Sequence, residues 1–438
     1  MTLGDMKLKQ LLSNLKGDKV IWSFLALLAL FSFMPVFSAS TNLAFGRDGD
    51  GNTLGYLVKH LAHLGMGFMI IYFVHKVPYH YFRVISRIGL PVVWGLLALT
   101  LFKGTNIGGA NASRWLQLPF IGISFQTSSI AAIILYIYVA RYLSKTRETP
   151  VTFKASFVEL WIPVFITLVL ILPANFSTTA LMFVMVVMIA FVGKYQLKYI
   201  GYIMGMAIAG LLIFVALSKT FPDSKFFSRV DTWISRIENY GTDKEGEDEY
   251  QINAAKTAIA SGNFTGVGPG KSVQRHFLPQ SSSDFIYAII VEEYGLVGGL
   301  GVLALYLLLL FRFVIAAHKA NTLFGKLVVI SLGFPLIFQA LINMAVAVEL
   351  LPVTGQTLPL ISSGGSSIWM TCFALGIIIN VTKKEEEIEL EQKEAAKREE
   401  ALQRLIDQEL EADDKHIETG NYSIQDSSKN PMDAVINK

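Results

Sequence analysis

Blocks of apolar residues recur along the chain at the length that crosses a bilayer, roughly 18–22 residues, separated by short polar stretches. The pattern predicts ten helical spans. The first five are Val20–Phe37, Tyr56–Val77, Ile88–Phe102, Ser124–Tyr142 and Phe157–Leu172. The second five are Thr178–Val192, Ile200–Leu217, Phe285–Phe311, Leu327–Val348 and Ser366–Val381. The first block ends in "FSAS", as a signal peptide would. Its apolar core exceeds the usual ~7–15 residues and more spans follow, so it reads as an uncleaved helix. Ahead of it, Leu8, Leu11, Leu12 and Leu15 repeat at helical spacing among lysines, which predicts a short amphipathic helix on the inner membrane surface over residues 1–19.

Composition agrees with the pattern: 53% of the 438 residues are hydrophobic and 16% charged, with thirty phenylalanines, too apolar for an ordinary soluble chain. Cys372 is the sole cysteine and excludes an intramolecular disulfide. The net charge of +3 says less than its distribution. With the N-terminus inside, eighteen Lys and Arg fall in or beside inner segments and four near outer ones, so both termini are expected in the cytoplasm. The long segment Ser218–Ser283 is then outside, and its length marks it as functional. The expected fold class is an all-α polytopic membrane protein, residues 20–381, with a charged cytoplasmic tail over 382–438. That tail is predicted helical to about Leu410 and disordered beyond. Leu402, Leu405, Ile406 and Leu410 would line one face if a partner binds it. The chain shows no clear internal repeat, which disfavours a transporter built from duplicated halves.

Two motifs fail on inspection. "GPGKS", Gly268–Ser272, ends like a phosphate-binding P-loop, but Thr265 stands where the first glycine is required and no strand precedes it. A glycine-rich run beside Lys271 and Arg275 can still offer N–H groups to another anion, such as a pyrophosphate. His60 and His63 lie one turn apart without a third ligand nearby, and read as structural.

"SSSDFIYAIIVEEYG", Ser281–Gly295, is harder to dismiss. The plain account of Ser283 and Asp284 is a helix cap, worth about 0.5–2 kcal/mol. Glu292 and Glu293 would lie about 12–14 Å further along the helix, where a carboxylate is costly without a polar partner. At about 100° per residue, Glu292 could share a cavity wall with Asp284 while Glu293 faces away and braces a neighbouring helix. Gly295, Gly298 and Gly299 would let a partner helix approach. "LPVTGQTLPLISSGGSS" cannot be a lipid-facing helix, so it is expected to line a cavity, with Gln339 and Asn343 one turn apart in the preceding span.

In order, "YQ" at Tyr250–Gln251, "GVGPGKSVQRHFLP", "DFIYAIIVEEYG" and "LLPVTGQTLPLISSGGSS" resemble the SEDS family of peptidoglycan glycosyltransferases. The likeness is closer to its division-type, FtsW-like branch than to its RodA-like elongation branch, and covers roughly Val20–Thr382. The resemblance implies polymerisation of lipid II, a saccharide on a polyprenyl pyrophosphate, at the outer face of the cytoplasmic membrane, at the division septum. It places the family's essential aspartate at Asp284, as general base of an inverting displacement. A helix-end position would hold that carboxyl low. Substrate-binding candidates are Lys271, Arg275, Arg114, Gln251, Gln339, Asn343, Ser362, Ser363, Gly364, Gly365 and Ser366, with Glu292 and Glu293 structural or facing a polar cavity. A divalent cation, Mg²⁺ or Mn²⁺, is the expected helper, no organic cofactor is implied, and no nucleic acid is expected as a partner. Expected partners are a class B penicillin-binding transpeptidase, other division proteins and membrane lipids.

The chain departs from the family pattern in three places. "QTSSIAA" has Ser129 and Ala132 where the family carries a charged pair, "ANFST" has Asn175 for an acid, and Gln280 replaces a glutamate. Two other function classes therefore stay open: a carrier moving lipid-linked sugar across the bilayer, and an inactive division scaffold.

Overall fold

The computed structural model describes residues 15–45, 52–104, 114–117, 124–147, 151–221, 230–238, 247–278, 281–383, 393 and 396–408. Apolar runs become helices because a backbone in lipid must satisfy its own N–H and C=O groups. They form α1 (Lys19–Phe45), α2 (Thr53–Val74), α3 (Tyr81–Lys103), α4 (Thr127–Thr146), α5 (Phe153–Ile171), α6 (Phe176–Val192) and α7 (Leu197–Thr220). Two shorter helices, α8 (Val230–Glu238) and α9 (Glu247–Gly262), precede α10 (Ile286–Lys319), α11 (Leu323–Ala347) and α12 (Gly365–Val381). Eight of these, α1–α5, α7, α10 and α11, are long and apolar enough to cross a membrane. The chain is a mostly helical, polytopic membrane protein. The remaining apolar helices, α6 and α12, have 17 residues each, about 26 Å at the helical rise. Each is preceded by irregular backbone, residues 172–175 and 351–364, that lines protein cavities, the one setting in which non-helical backbone is tolerated among spans.

Helix limits move for identifiable reasons. α3 begins at Tyr81 rather than Ile88, because Phe82, Ser86 and Leu90 already share its buried face. The fourth span begins at Thr127, not Ser124. Ser124–Gln126 instead forms a strand, β2, antiparallel to β1 (Trp115–Gln117), with Trp115 opposite Gln126. An all-α chain was expected; this hairpin is the correction.

The spans pack α2 on α12, α10 on α11, α3 on α4, and α11 on α4, around one large apolar core. Asp18 ties two ends together: its Oδ1 accepts from the Val20 amide (2.9 Å) at the start of α1, and its Oδ2 accepts from Arg312 Nε of α10 (2.7 Å). A second, smaller core forms where α9 lies on the start of α10. There Ala255, Ala258, Leu278, Phe285, Ala288 and Ile289 bury one another.

The eighth span is not the straight helix its apolar run suggested. Gly295 takes φ 68° and ψ −172°, which breaks α10 into an inner-packed segment, Ile286–Tyr294, and a long one after it. The segment Asn263–Gly268 fills the break. Leu296 and Val297 donate their amides to the Asn263 and Phe264 carbonyls (2.9 and 3.3 Å), and Val267 and Gly268 donate to the Glu292 and Glu293 carbonyls (both 3.0 Å). Glycine is required on both sides: a Cβ on Gly266 (φ +81°) would overlap the Glu293 carbonyl, and one on Gly295 the Phe264 carbonyl. The GNFTGVG stretch is therefore a backbone splint for α10.

In the separate C-terminal unit, residues 396–408 are helical with Leu402, Leu405 and Ile406 exposed. Leu410, Gln280 and the leucines Leu8, Leu11 and Leu12 lie outside the described residues.

Candidate active site

A cavity of about 720 Å³ opens among α4, α6, α11, α12 and the β hairpin. Asp284 is the carboxylate among its lining residues. It sits in the turn Ser281–Phe285, one residue short of the α10 N-cap, Phe285, and that end has no side-chain cap. The capping account of Asp284 is thus set aside. What holds it is the preceding turn, bonded three ways. Asn343 Nδ2 donates to the Asp284 carbonyl (2.7 Å), Ser362 Oγ to the Ser283 carbonyl (2.6 Å), and the Ser363 amide to the Ser282 carbonyl (2.8 Å). At about 1 kcal/mol each, these fix the backbone that aims the carboxylate.

The residues that make those bonds are themselves fixed. Asn343 Nδ2 also donates to the Gln356 carbonyl (2.7 Å), and Gln339 Nε2 to the Thr357 carbonyl (2.9 Å). Ser362 Oγ accepts from the Leu358 amide (2.7 Å) across a tight turn in which Leu360, buried, is held at φ +66°. A branched side chain in that region is strained, and such strain gathers where a site over-determines its backbone. Gly355, at φ +66°, passes so close that a Cβ would stand 3.4 Å from Asp284 Oδ2.

Burial pushes the Asp284 carboxyl above the ordinary carboxylate range; a Ser283 hydrogen bond and the charges of Arg114 and Arg236 offset part of the rise. The sequence reading expected a lowered value, from a helix-end position the residue does not occupy. A half-buried carboxylate with a raised affinity for protons is the better base.

The other named residues divide sharply. Arg114, Gln339, Ser363 and Gly364 line the cavity with Asp284, as do Ser129, Ala132 and Asn175, where the charged pair and the acid are missing. Asn175 caps α6, accepting from the Thr178 amide (3.2 Å). Asn343 and Ser362 act one layer behind. Gly365 begins α12 against the His63 ring, and Ser366 is buried next to it. Gln251 is buried in α9 and lines neither this cavity nor a second, smaller one described next.

Lys271 and Arg275 also lie outside both linings. Arg275 instead donates to Ser38 Oγ (2.9 Å) and the Gly270 carbonyl (2.7 Å). Glu292 does not share the cavity wall with Asp284: it accepts from the Ser272 hydroxyl and from the Val273 and Gln274 amides (2.9 and 3.2 Å). Glu293 accepts from the Ser38 hydroxyl of α1. Together they latch residues 272–274 and the first helix onto the segment that follows Asp284. His60 bonds Ser32 (2.9 Å) and His63 packs on Trp369.

The second cavity, about 360 Å³, adjoins the first and shares Arg114, Asn175 and Leu181 with it. Phe176, Ala180, Val184, Phe338 and Ile342 supply its wall, and Trp233 and Arg236 of α8 close one side. Sequence reasoning missed Arg236; the available signal was the amphipathic stretch "VDTWISRIE" inside a long polar loop. It also missed Trp115 and Gln126, which the hairpin brings to the larger cavity.

A fold of apolar helices around a cavity, with a half-buried aspartate whose turn is held by a Ser-Ser-Gly-Gly run, meets a clear counterpart among known proteins. The profile of the cell cycle protein family FtsW/RodA/SpoVE matches residues 18–387. The chain belongs to that family. Among similar relatives, the probable peptidoglycan glycosyltransferase FtsW of Hahella chejuensis is 30% identical over 359 residues, covering 81% of this chain and 87% of that one. The protein of the same description from Geobacter sulfurreducens is 30% identical over 372 residues, covering 84% and 95%. Among solved structures, a chain of a peptidoglycan synthase complex coordinating polymerization and crosslinking superposes with TM-score 0.64 at 22% identity, covering 84% of this chain and 97% of that one. The rod shape determining protein RodA of Thermus thermophilus gives 0.59, also at 22%, covering 84% and 96%. At that identity the structures speak for the shared fold of the family.

Proposed function

We propose that the chain is a peptidoglycan glycosyltransferase that polymerises lipid II at the outer face of the inner membrane during division, with Asp284 as general base. The observation that carries this is a single proton-accepting carboxylate, fixed by three hydrogen bonds to its turn, facing a cavity large enough for a saccharide. In the reaction, a hydroxyl oxygen of the acceptor sugar attacks the anomeric carbon of the donor. The new C–O bond forms as the bond to pyrophosphate breaks, the hydroxyl proton passes to Asp284, and the configuration inverts. Pyrophosphate leaves with the bonding electron pair, and guanidinium charge near it lowers the barrier.

A divalent cation fits this site only with substrate. Asp284 would be its protein ligand among the described residues, and magnesium is commonly held by one or two carboxylates plus phosphate oxygens. Its contribution would be added positive charge at the leaving group.

This reading carries a topology: ten passes, both termini cytoplasmic, and the segment between α7 and α10 outside, supported by the lysine and arginine distribution. It also carries a partner, a class B penicillin-binding transpeptidase that crosslinks the product. The neutral Ser129 and Ala132 wall takes away a charged pair as a unit and leaves Asp284 with its supports in place. The test is glycan synthesis from purified lipid II, read by gel and by mass spectrometry of the strands, with and without the transpeptidase. A protein that moves lipid II across proteoliposome membranes and makes no glycan is a carrier instead.

A further inference from the structure

α2 and α12 pack against each other along the length of α12, and bare glycines set how close they come. Gly67 of α2 faces Ile368 and Cys372 of α12, where a Cβ would stand 2.7 Å from the cysteine Sγ, and Gly376 of α12 faces Ile71 and Val74. At the inner end, Asn380 accepts from the Tyr79 amide (2.8 Å) and donates to the His75 carbonyl. Contacts this close fix the register of the pair, because a packed interior does not yield by small steps. The outermost rung is different in kind. His63, half-buried on α2, lays its ring on Gly365, the first residue of α12, where a Cβ would stand 2.6–2.9 Å from three of the ring atoms. One turn further along α12, Trp369 meets the same ring edge-on, with centres 5.3 Å apart. His63 lines neither cavity, and one turn away on α2 His60 is tied to Ser32 of α1 (2.9 Å).

Gly365 directly follows the run on which the carboxylate depends. Ser363 and Ser362, two and three residues before it, hold the Ser282 and Ser283 carbonyls, and Gly364 between them and the helix lines the cavity. A shift of the first residue of α12 therefore reaches those bonds through no more than three peptide units. Resting on the glycosyltransferase reading, we propose that His63 is a positioning residue: its ring is the stop against which the start of α12 seats, and it thereby sets the height of the Ser362–Gly364 run and the aim of Asp284. An alanine at position 63 leaves the space over Gly365 unfilled, and the start of α12 relaxes into it. A displacement of about 1 Å at a reacting group can cost about 100-fold in rate. Gly365 has no positive φ, so an alanine there meets no backbone penalty; what it meets is the His63 ring.

The test uses the full chain in detergent and two readouts. One is kcat and KM for glycan synthesis from lipid II; the other is amide hydrogen exchange of the peptide Leu358–Ser367, which contains the bonded Leu358 and Ser363 amides. The variants are His63→Ala, His63→Phe, Gly365→Ala, the double variant His63→Ala with Gly365→Ala, and Met66→Ala at an exposed position of α2. His63→Ala should lower kcat about tenfold with KM within about twofold, and should speed exchange of the peptide about tenfold. His63→Phe restores a ring and should recover most of both. Gly365→Ala should also lose about tenfold, but the double variant should lose about tenfold rather than the roughly 100-fold of independent effects, since the added methyl enters the space the ring has left. Met66→Ala should change nothing. Melting temperatures for every variant correct for the folded fraction, and if Gly365→Ala does not fold, the two His63 variants decide. Single losses that multiply in the double variant, or a loss confined to KM, overturn the proposal. An inactive native chain in which exchange still rises in His63→Ala and returns in His63→Phe refutes the glycosyltransferase reading and leaves the assignment of His63. An active native chain in which His63→Ala alters neither kcat nor exchange refutes the assignment and leaves the reading.

Discussion

Replacing Gly266 by alanine tests whether the splint at the α10 break positions the site. Gly266 has φ +81°, a region that costs an L-residue roughly 1–2 kcal/mol. The added Cβ also falls well inside contact distance of the Glu293 carbonyl oxygen, a backbone atom that no rotamer change moves aside. Relief requires the segment to lift, which weakens the Val267–Glu292 and Gly268–Glu293 bonds (3.0 Å each), at about 1 kcal/mol apiece. The sum is about 3–4 kcal/mol. Gly270 is the matched control: its φ is +73°, but its Cβ would meet open space, so Gly270→Ala carries the backbone term alone, about 1–2 kcal/mol. Equilibrium unfolding in mixed micelles, with polymerase activity normalised to folded protein, reads both. The expected result is a stability loss about 2 kcal/mol larger for Gly266→Ala, with lower activity per folded molecule because Ile286–Tyr294 moves. Indistinguishable stabilities for the two variants would refute the splint.

Other expectations follow from the same geometry. The base must be ionised to act, so activity should fall as pH drops through a folded-state pKa above the ordinary aspartate value of about 3.9. Arg114→Gln or Arg236→Gln should move that acid limb to higher pH, and an unmoved limb contradicts the placement of those charges beside Asp284. Glu292→Ala strips the acceptor from the Ser272 hydroxyl and the Val273 and Gln274 amides and should cost about 3 kcal/mol in unfolding, whereas Glu292→Gln keeps one acceptor oxygen and should cost less; equal losses would argue against the latch. Asn343→Ala frees the Asp284 and Gln356 carbonyls, so kcat should drop by about 10- to 100-fold with KM for lipid II nearly unchanged, and a pure KM effect would place Asn343 on substrate instead.

The sequence made the membrane helices legible because lipid imposes a long, simple code: an apolar run of sufficient length has few other fates. It also exposed Asp284 and the Ser362–Ser366 turn, since a carboxylate and a proline-, glycine- and serine-rich run are conspicuous between apolar spans. What it hid depends on single backbone angles. Asp284 stands in the turn Ser281–Phe285 ahead of α10, so the helical phase that assigned Glu292 to its cavity wall does not run through it, and the positive φ of Gly295 breaks the helix further along. The partner of that break, Gly266, lies almost thirty residues earlier, just ahead of the GPGKS motif. Of the three candidate cations Lys271, Arg275 and Arg114, the structure brings Arg114 beside Asp284 and adds Arg236, a residue of a distant surface helix that the sequence did not single out. Long-range juxtapositions of that kind leave no local periodicity to read.

The most direct measurement is polymerisation of purified lipid II by the full chain, alone and with its transpeptidase, comparing the native protein with Asp284→Asn. The native chain should yield glycan strands of inverted linkage, while the folded Asp284→Asn protein yields none. Glycan from Asp284→Asn at the native rate would contradict the account.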